Sequence, residues 1–311
     1  MRAFIFPGQG SQAVGMGTAL AAASPHAREV FQEVDEALGQ NLSKLMAEGP
    51  EDALTLTANA QPAIMANAIA VLRVLEKDGG IRLADKVDFV AGHSLGEYSA
   101  LCAAGSFDLA TTARLLRRRG EAMQAAVPVG VGAMAALLGV DVEKARAIAE
   151  AAAQGEVCTV ANDNDPGQVV ISGHRDAIER ALPLAKEMGA KRALLLPVSA
   201  PFHCPLMQPA ADAMAEALAA VALQAPLVPV YANVTAAPAA DPDTIRGLLV
   251  EQVTGMVRWR ESVRAMADGG VTEFVEFGGK VLGGMVKRIT PDVPTVSLVT
   301  MDDIEAFAKG L

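Results

Sequence analysis

The stretch "VDFVAGHSLGEYSALCAAG", residues 87–105, is the strongest indication of the fold class in this sequence. Its first six residues are mostly apolar, as in a buried strand, and a Gly-x-Ser-x-Gly turn and a helix-forming run follow. A strand, a tight turn and a helix together make a nucleophile elbow, which presents a serine hydroxyl on a strained turn. We therefore predict an α/β fold in which Ser94 is a nucleophile and the amide of Leu95 faces an oxyanion. The alternative is that Ser94 only caps a helix.

Strand and helix signals alternate along much of the remaining chain. "RAFIF", residues 2–6, is a short apolar strand, and helices are predicted at 26–38, at 61–77 and in two stretches after the elbow. This alternation is typical of a mainly parallel sheet that is covered by helices on both faces. We therefore expect a large α/β domain built around the elbow.

The segment 128–198 has a different pattern. Its signals follow the order β-α-β-β-α-β, and Asp141 is the predicted N-cap of the first helix. This order is that of the ferredoxin-like split unit. We therefore expect a small inserted ferredoxin-like domain at 128–198, and a large domain that consists of residues 1–127 and 199–311.

Composition and charge exclude several classes of function. The net charge of −10 and a pI near 5.0 argue against general nucleic-acid binding, which needs a basic field. Three cysteines without a Cys-x-x-Cys pair, and no apolar run long enough to span a membrane, predict a cytoplasmic protein. Neither metal-ligand spacing nor a phosphate-binding glycine loop occurs, so no metal or nucleotide cofactor is expected.

A serine nucleophile needs a base, and histidine is the usual one. Of the four histidines, His93 adjoins the serine and should point away from it, His26 begins a polar helix and His174 lies in a turn. Elimination leaves His203, although a single loop histidine is more often structural. The aspartates between Ser94 and His203 all fit caps or turns, and they are Asp108, Asp141, Asp163, Asp165 and Asp176. We therefore predict a Ser-His pair that a backbone carbonyl orients.

Six longer stretches occur in a fixed order: "FPGQGSQAVGMG", "GHSLGEYSALCAAG", "RRRGEAMQAAVPVGVGAMAALLG", "NDPGQVVISG", "SAPFHCPLM" and "VEQVTGMVRW". In order and approximate spacing they resemble the family of malonyl-CoA:acyl-carrier-protein transacylases, from residue 4 to about residue 290. The resemblance implies that the large domain is α/β-hydrolase-like, of the patatin/acyltransferase type.

The resemblance also implies a role for each main site residue. Ser94 attacks the malonyl thioester, and His203 acts first as base and then as acid. The amides of Gln9 and Leu95 form the oxyanion hole, although Gln9 taken alone fits a structural turn. Arg119 binds the malonyl carboxylate through its planar guanidinium. Among the arginines at 117–119 only one can face inward, because adjacent helical residues diverge by about 100°.

Three further residues are implied at the acyl pocket. The backbone carbonyl of Gln252 orients the catalytic histidine, Asn162 lines the pocket from the small domain, and Phe202 is the residue type of malonyl-selective members. Asn162 is alternatively an ordinary turn residue. The loop at 276–284 is one residue shorter than the family pattern, which puts the details of the entrance near Lys280 in doubt.

The partners that the resemblance implies are malonyl-CoA and holo acyl carrier protein, with fatty-acid synthesis as the pathway. An acidic carrier needs a basic patch, for which we select Lys280, Lys287 and Arg288. We expect a monomer that needs no cofactor beyond its coenzyme A thioester substrate.

Three alternatives remain open from the sequence. A patatin-like hydrolase or thioesterase would pair Ser94 with Asp268 of "ADGGVTEF", where a helix that ends before a strand is the plainer interpretation. A polyketide-synthesis acyltransferase acting in trans would use the same residues on another carrier. A non-catalytic docking domain would keep only the fold.

Overall fold

The computed structural model describes residues 1–311, which form two β-sheets and the helices around them. The strands are β1 (Arg2–Phe6), β2 (Phe89–Gly92), β3 (Gly132–Leu138), β4 (Cys158–Asp165), β5 (Gln168–His174), β6 (Arg192–Leu195), β7 (Val230–Ala232), β8 (Ala237–Ala239), β9 (Glu273–Phe277) and β10 (Thr295–Leu298). The helices are α1 (Thr18–Ala23), α2 (Pro25–Leu38), α3 (Leu42–Glu48), α4 (Glu51–Thr55), α5 (Thr57–Lys77), α6 (Leu83–Lys86), α7 (Leu95–Ala103), α8 (Leu109–Ala125), α9 (Val142–Ala153), α10 (Arg175–Glu187), α11 (Gln208–Ala219), α12 (Pro242–Thr254), α13 (Trp259–Asp268), α14 (Leu282–Ile289) and α15 (Met301–Lys309). A 3₁₀ turn, Pro205–Met207, precedes α11.

The large sheet has the strand order β10-β9-β1-β2-β7-β8 and is parallel except for β8, which runs antiparallel to β7. Its central strand β1 is apolar throughout its buried length because both of its faces meet helices. Phe4 and Phe6 join the core on one side, whereas Ala3 and Ile5 join a second core on the other. The predicted mainly parallel sheet is confirmed.

The small sheet is antiparallel, with the order β4-β5-β3-β6. Its elements follow the predicted order β3-α9-β4-β5-α10-β6, and α9 and α10 bury a separate hydrophobic cluster against one face. The side chain of Asp141 accepts the amide proton of Lys144, so its predicted N-cap is confirmed. The opposite face of the small sheet is turned toward the large sheet, where Met134, Ala136 and Val170 join the main core.

Element bounds differ from the predictions at two places that shape the site. The stretch at 190–198, which is strand-like throughout its sequence, forms a strand only over Arg192–Leu195. The amide of Leu196 still donates to the carbonyl oxygen of Met134 at 2.9 Å, and Leu196, Pro197 and Val198 border a cavity. Helix α5 begins at Thr57, four residues before the predicted start, and Pro62 lies inside it. None of the helices combines the length and apolarity that crossing a membrane requires.

Candidate active site

Ser94 occupies the turn between β2 and α7 with φ 54° and ψ −112°, a strained conformation for a residue other than glycine. The glycines on either side make this turn possible. A Cβ on Gly92 would lie 1.9 Å from the backbone of Gly96, and a Cβ on Gly96 would lie 2.2 Å from the carbonyl oxygen of Phe6. The chain therefore folds into an elbow that lifts the Ser94 side chain off the sheet.

His203 lies against this serine. Its Nε2 is 2.7 Å from the Ser94 Oγ, and its Nδ1 is 2.9 Å from the carbonyl oxygen of Gln252 and 3.1 Å from that of Gly255. Carbonyl oxygens only accept hydrogen bonds, so Nδ1 carries the proton and Nε2 has a free lone pair. In this tautomer His203 can take the proton of Ser94.

The surroundings of His203 keep the imidazole neutral. Burial is the main cause and the positive charge of Arg119 the next, and together they lower the pKa of His203 to about 3. Because hydrogen bonds to the carbonyls of Gln252 and Gly255 oppose this shift only in part, the ring stays uncharged at neutral pH. A neutral imidazole is the form that acts as a general base.

The other histidines are engaged elsewhere. Nε2 of His93 is 2.8 Å from Oδ1 of Asn164, the ring of His26 lies beside Glu29, and Nδ1 of His174 accepts a backbone amide proton. His93 borders the same cavity as Ser94 but makes no hydrogen bond to it. None of these three histidines is hydrogen-bonded to Ser94.

None of the five aspartates between Ser94 and His203 is hydrogen-bonded to the His203 ring. Asp108 and Asp141 cap helices, and Asp176 lies in the first turn of α10. The two buried aspartates form ion pairs, Asp163 with Arg260 and Asp165 with Arg288. Asp268 is the exposed last residue of α13 and has no hydrogen bond to Ser94.

Arg119 is buried beneath Ser94, with 1% of its surface exposed, whereas Arg117 is half-buried and Arg118 is exposed. Its Nη2 donates to Oγ of Ser94 at 3.1 Å and to Oε1 of Gln252 at 2.8 Å. Its Nη1 donates to Oε1 of Gln61 at 2.9 Å. No carboxylate forms an ion pair with this guanidinium.

Three contributors to this arrangement were missed in the sequence: Gln61, Glu97 and Asn233. Oδ1 of Asn233 accepts the Ser94 amide proton at 2.8 Å, and Oε2 of Glu97 accepts from the Gln252 side chain at 2.9 Å. Glu97 and Gln61 do leave a signal, since Glu97 is the only charged residue of α7 and Gln61 directly precedes the mainly apolar run at 62–72. Asn233 follows a short strand in a turn-like context and leaves none.

The predicted pocket residues border one cavity of about 310 Å³ beside Ser94; they are Gln9, Leu95, Arg119, Asn162, Phe202 and His203. The backbone amide of Gln9 donates to no acceptor within the chain, and its side chain donates to Oγ1 of Thr57 at 3.3 Å. Leu95 is the first residue of α7, so its amide has no acceptor inside the helix. Two unpaired amides thus lie at the same cavity as the serine.

The predicted docking residues lie on and before α14, away from the cavity. Lys280, Lys287 and Arg288 are exposed, but Nε of Arg288 donates to Asp165 at 2.7 Å. In the loop at 276–284 the Glu276 carboxylate accepts three backbone amide protons at the start of α14. No group of three or more histidine, cysteine and carboxylate side chains is placed to hold a metal ion.

The chain is similar to known proteins over nearly its whole length. Residues 3–279 match the acyl transferase domain family. The malonyl CoA-acyl carrier protein transacylases of Escherichia coli K12 and Bacillus subtilis 168 are 47% and 46% identical to it, with 99% of this chain covered in each case and 98% and 96% of the relatives. The chain belongs to the malonyl-CoA:acyl-carrier-protein transacylase family.

Solved structures of transacylases in this family have the same fold. The acyl-carrier-protein S-malonyltransferase of Bartonella henselae is 55% identical, with a TM-score of 0.97 over 99% of this chain and 98% of that one. A malonyl-transacylase solved in complex with a holo type II PKS acyl-carrier protein is 40% identical, with a TM-score of 0.96 over 100% of this chain and 99% of that one. The family likeness therefore extends to the whole chain and to both sheets.

Proposed function

We propose that this protein transfers the malonyl group of malonyl-CoA to the phosphopantetheine thiol of acyl carrier protein, through an ester on Ser94. The observation that carries the proposal is Arg119, a buried guanidinium that bonds to Ser94 and has no carboxylate partner. A cation of this kind, beside a nucleophile, fits an acyl group that ends in a carboxylate. The names of the relatives agree with that chemistry.

In the first half-reaction Nε2 of His203 takes the Ser94 proton while Oγ attacks the thioester carbonyl. The tetrahedral oxyanion accepts hydrogen bonds from the amides of Gln9 and Leu95, which have no other acceptor. The C–S bond then breaks, and coenzyme A leaves as a thiol with the proton from His203. The product is malonyl-Ser94.

In the second half-reaction the carrier's thiol gives its proton to His203 and attacks the ester carbonyl. The oxyanion returns to the same amides, the C–O bond to Ser94 breaks, and His203 gives the proton back to the serine oxygen. The malonyl carboxylate stays paired with Arg119, whose charge otherwise lowers the pKa of His203. Substrate binding therefore makes the base stronger while the ester is formed.

The remaining pocket residues have supporting roles in this proposal. The carbonyl of Gln252 orients His203, Asn162 forms the wall that the small sheet contributes, and Phe202 limits the space for a branched acyl group. Asn162 and Phe202 are 7% and 8% exposed, so each side chain has little freedom to move away from the cavity.

The finer description of the fold is also a proposal. We infer that residues 128–198 are a ferredoxin-like domain inserted into an α/β-hydrolase-like domain of the patatin/acyltransferase type, made of residues 1–127 and 199–311. The separate core of the small sheet and its strand order support this division. We further propose a cytoplasmic monomer without a cofactor, in which all three cysteines stay reduced.

The carrier is proposed to dock near Lys280, Lys287 and Arg288 and to belong to fatty-acid synthesis. Arg288 is the weakest of these contributors because Asp165 already pairs with it. Polyketide synthesis is the alternative, since one relative was solved with a polyketide carrier. Parallel assays with a fatty-acid carrier and a polyketide carrier distinguish the two.

Intact-mass measurement after brief exposure to malonyl-CoA tests the function. We expect one malonyl adduct, which is absent in Ser94→Ala and present in the control Ser99→Ala, whose serine is buried in α7, directly after the Ser94 turn. Addition of holo carrier should move the malonyl group to the carrier rather than release malonate. No adduct on Ser94, or release to water alone, would contradict the proposal.

A further inference from the structure

Glu97 lies one turn after Ser94 in α7 and is 1% exposed. It touches none of the reacting groups. Its Oε2 accepts two hydrogen bonds, one from the backbone amide of Asn233 at 3.0 Å and one from Nε2 of Gln252 at 2.9 Å. Both donors belong to residues that do contact the reacting groups, so Glu97 is one step removed from Ser94, His203 and Arg119.

The bond to Gln252 fixes the direction of a side-chain amide. Nε2 of Gln252 donates to Glu97 and, at 3.0 Å, to the carbonyl oxygen of Ser94, while its Oε1 accepts from Arg119 at 2.8 Å. The guanidinium only donates hydrogen bonds, whereas the Ser94 carbonyl and an ionised Glu97 only accept them, so the NH₂ group faces Glu97 and the oxygen faces Arg119. A flipped amide would turn its NH₂ toward Arg119 and lose this bond.

The bond to Asn233 fixes the elbow. The Asn233 side chain accepts the Ser94 amide proton at 2.8 Å and donates to the carbonyl oxygen of Gly92 at 2.7 Å. It therefore holds both ends of the strained turn between β2 and α7. Because Glu97 accepts the backbone amide proton of Asn233, its carboxylate helps to fix the position from which the Asn233 side chain contacts Ser94 and Gly92.

We propose that Glu97 is a positioning residue of the acyl-transfer site, which acts through Gln252 and Asn233 to aim Arg119 and to hold the Ser94 turn. The proposal rests on the proposed function. Glutamate suits this position because either oxygen of its carboxylate can accept from both donors. A glutamine can do so only when its oxygen faces them, and in the other orientation of its amide the NH₂ group would face the two donors. Burial raises the pKa of Glu97 to about 7, which means that the ionised side chain is less favourable in the folded protein than in water.

Two conservative variants separate hydrogen bonding from charge. Glu97→Gln keeps one acceptor that reaches both donors and loses the charge, whereas Glu97→Asp keeps the charge but is one methylene too short to reach both. We expect Glu97→Gln to acylate Ser94 within about fivefold of the natural protein, and Glu97→Asp to fall roughly 10- to 100-fold. The preference for malonyl-CoA over acetyl-CoA should fall in parallel in Glu97→Asp, because Arg119 is no longer aimed.

The measurement is single-turnover acylation with each thioester, on protein whose folding is verified by circular dichroism. Glu276→Gln is the matched control, since Glu276 is also fully buried and accepts three amide protons at α14 without contact to Ser94. It should lower the melting temperature and leave acylation and acyl preference unchanged. Glu97→Met, which keeps the volume and removes the acceptors, replaces Glu97→Asp if the shorter side chain prevents folding.

Two results would overturn the proposal. One is acylation and acyl preference within twofold of the natural protein in both Glu97→Asp and Glu97→Met, with only the melting temperature changed as in the control. The other is a Glu97→Gln protein that is slower than Glu97→Asp, which would assign the effect to charge. Failure of the natural protein to form malonyl-Ser94 would instead count against the proposed function, whatever the variants do.

Discussion

Two buried polar regions of this protein differ in the partners that they give to arginine. On β4 and its neighbours, Asp163 pairs with Arg260 at 2.8 Å and Asp165 pairs with Arg288 at 2.7 Å. Beneath Ser94, Arg119 is more deeply buried than either and bonds only to uncharged oxygens of Ser94, Gln61 and Gln252. The first region has balanced charges, and the second has a cation whose nearest acid, Glu97, is reached only through an amide.

From this difference we expect an anionic substrate to bind at Arg119 rather than at Arg260 or Arg288. An arginine that already forms an ion pair has little to gain from a second carboxylate, and its pair serves to join β4 to the helices α13 and α14. An arginine bonded to neutral acceptors keeps its affinity for an anion. Burial lowers the pKa of Arg119 from its usual value, yet the guanidinium stays charged at neutral pH.

Of the changes that we consider, removal of Arg119 should have the largest effect on activity with malonyl-CoA. In Arg119→Ala we expect kcat/KM for malonyl-CoA to fall roughly 10²- to 10³-fold, because a buried carboxylate loses its partner. Acetyl-CoA should be used as well as before or better, since it brings no charge. Steady-state assays with both thioesters test this, with exposed Arg118→Ala as the control, and equal losses for both substrates would contradict it.

Neutralisation of Glu97 should change stability with pH. Its folded pKa of about 7 lies above the usual 4.5, so the folded protein binds the proton more tightly than the unfolded chain. The stability of the natural protein relative to Glu97→Gln should therefore fall as pH rises from 4.5 to 7 and stay low above that. The full difference is about 3 kcal/mol, and urea unfolding at pH 5 and pH 8 measures it. A difference independent of pH would show that Glu97 does not titrate in this range.

Disruption of an ion pair on β4 should affect stability more than chemistry. In Arg260→Ala the buried Asp163 loses its partner, and we expect a loss of about 2 kcal/mol because Arg260 is itself partly exposed. Malonyl preference should not change, since neither side chain borders the cavity beside Ser94. Arg264→Ala on the same helix is the control, and altered acyl preference in Arg260→Ala would contradict the division of roles.

The smallest expected effect is a shift in pH dependence. Arg119 adds to burial in lowering the pKa of His203, so removal of its charge should raise that pKa. The acid limb of kcat/KM for acetyl-CoA should then lie at a higher pH in Arg119→Ala than in the natural protein. An unmoved limb would mean that the charge of Arg119 does not act on the base.

The sequence predicted the parts of the site that depend on local pattern. The elbow follows from residues 87–105 alone, and helical periodicity shows that only one arginine of 117–119 faces inward. Long-range packing creates the rest. Asn233 clamps a serine 139 positions away, and the amides that hold Arg119 come from α5 and α12. No local sequence pattern predicts which distant side-chain amides will bond to the guanidinium of Arg119.

A crystal structure of the protein with malonyl esterified to Ser94 would test the role of Arg119 directly. We predict that the malonyl carboxylate lies within hydrogen-bond distance of the Arg119 guanidinium and that the ester carbonyl faces the amides of Gln9 and Leu95. A carboxylate that points to solvent or to another cation, with Arg119 still bonded only to Gln61 and Gln252, would contradict this prediction.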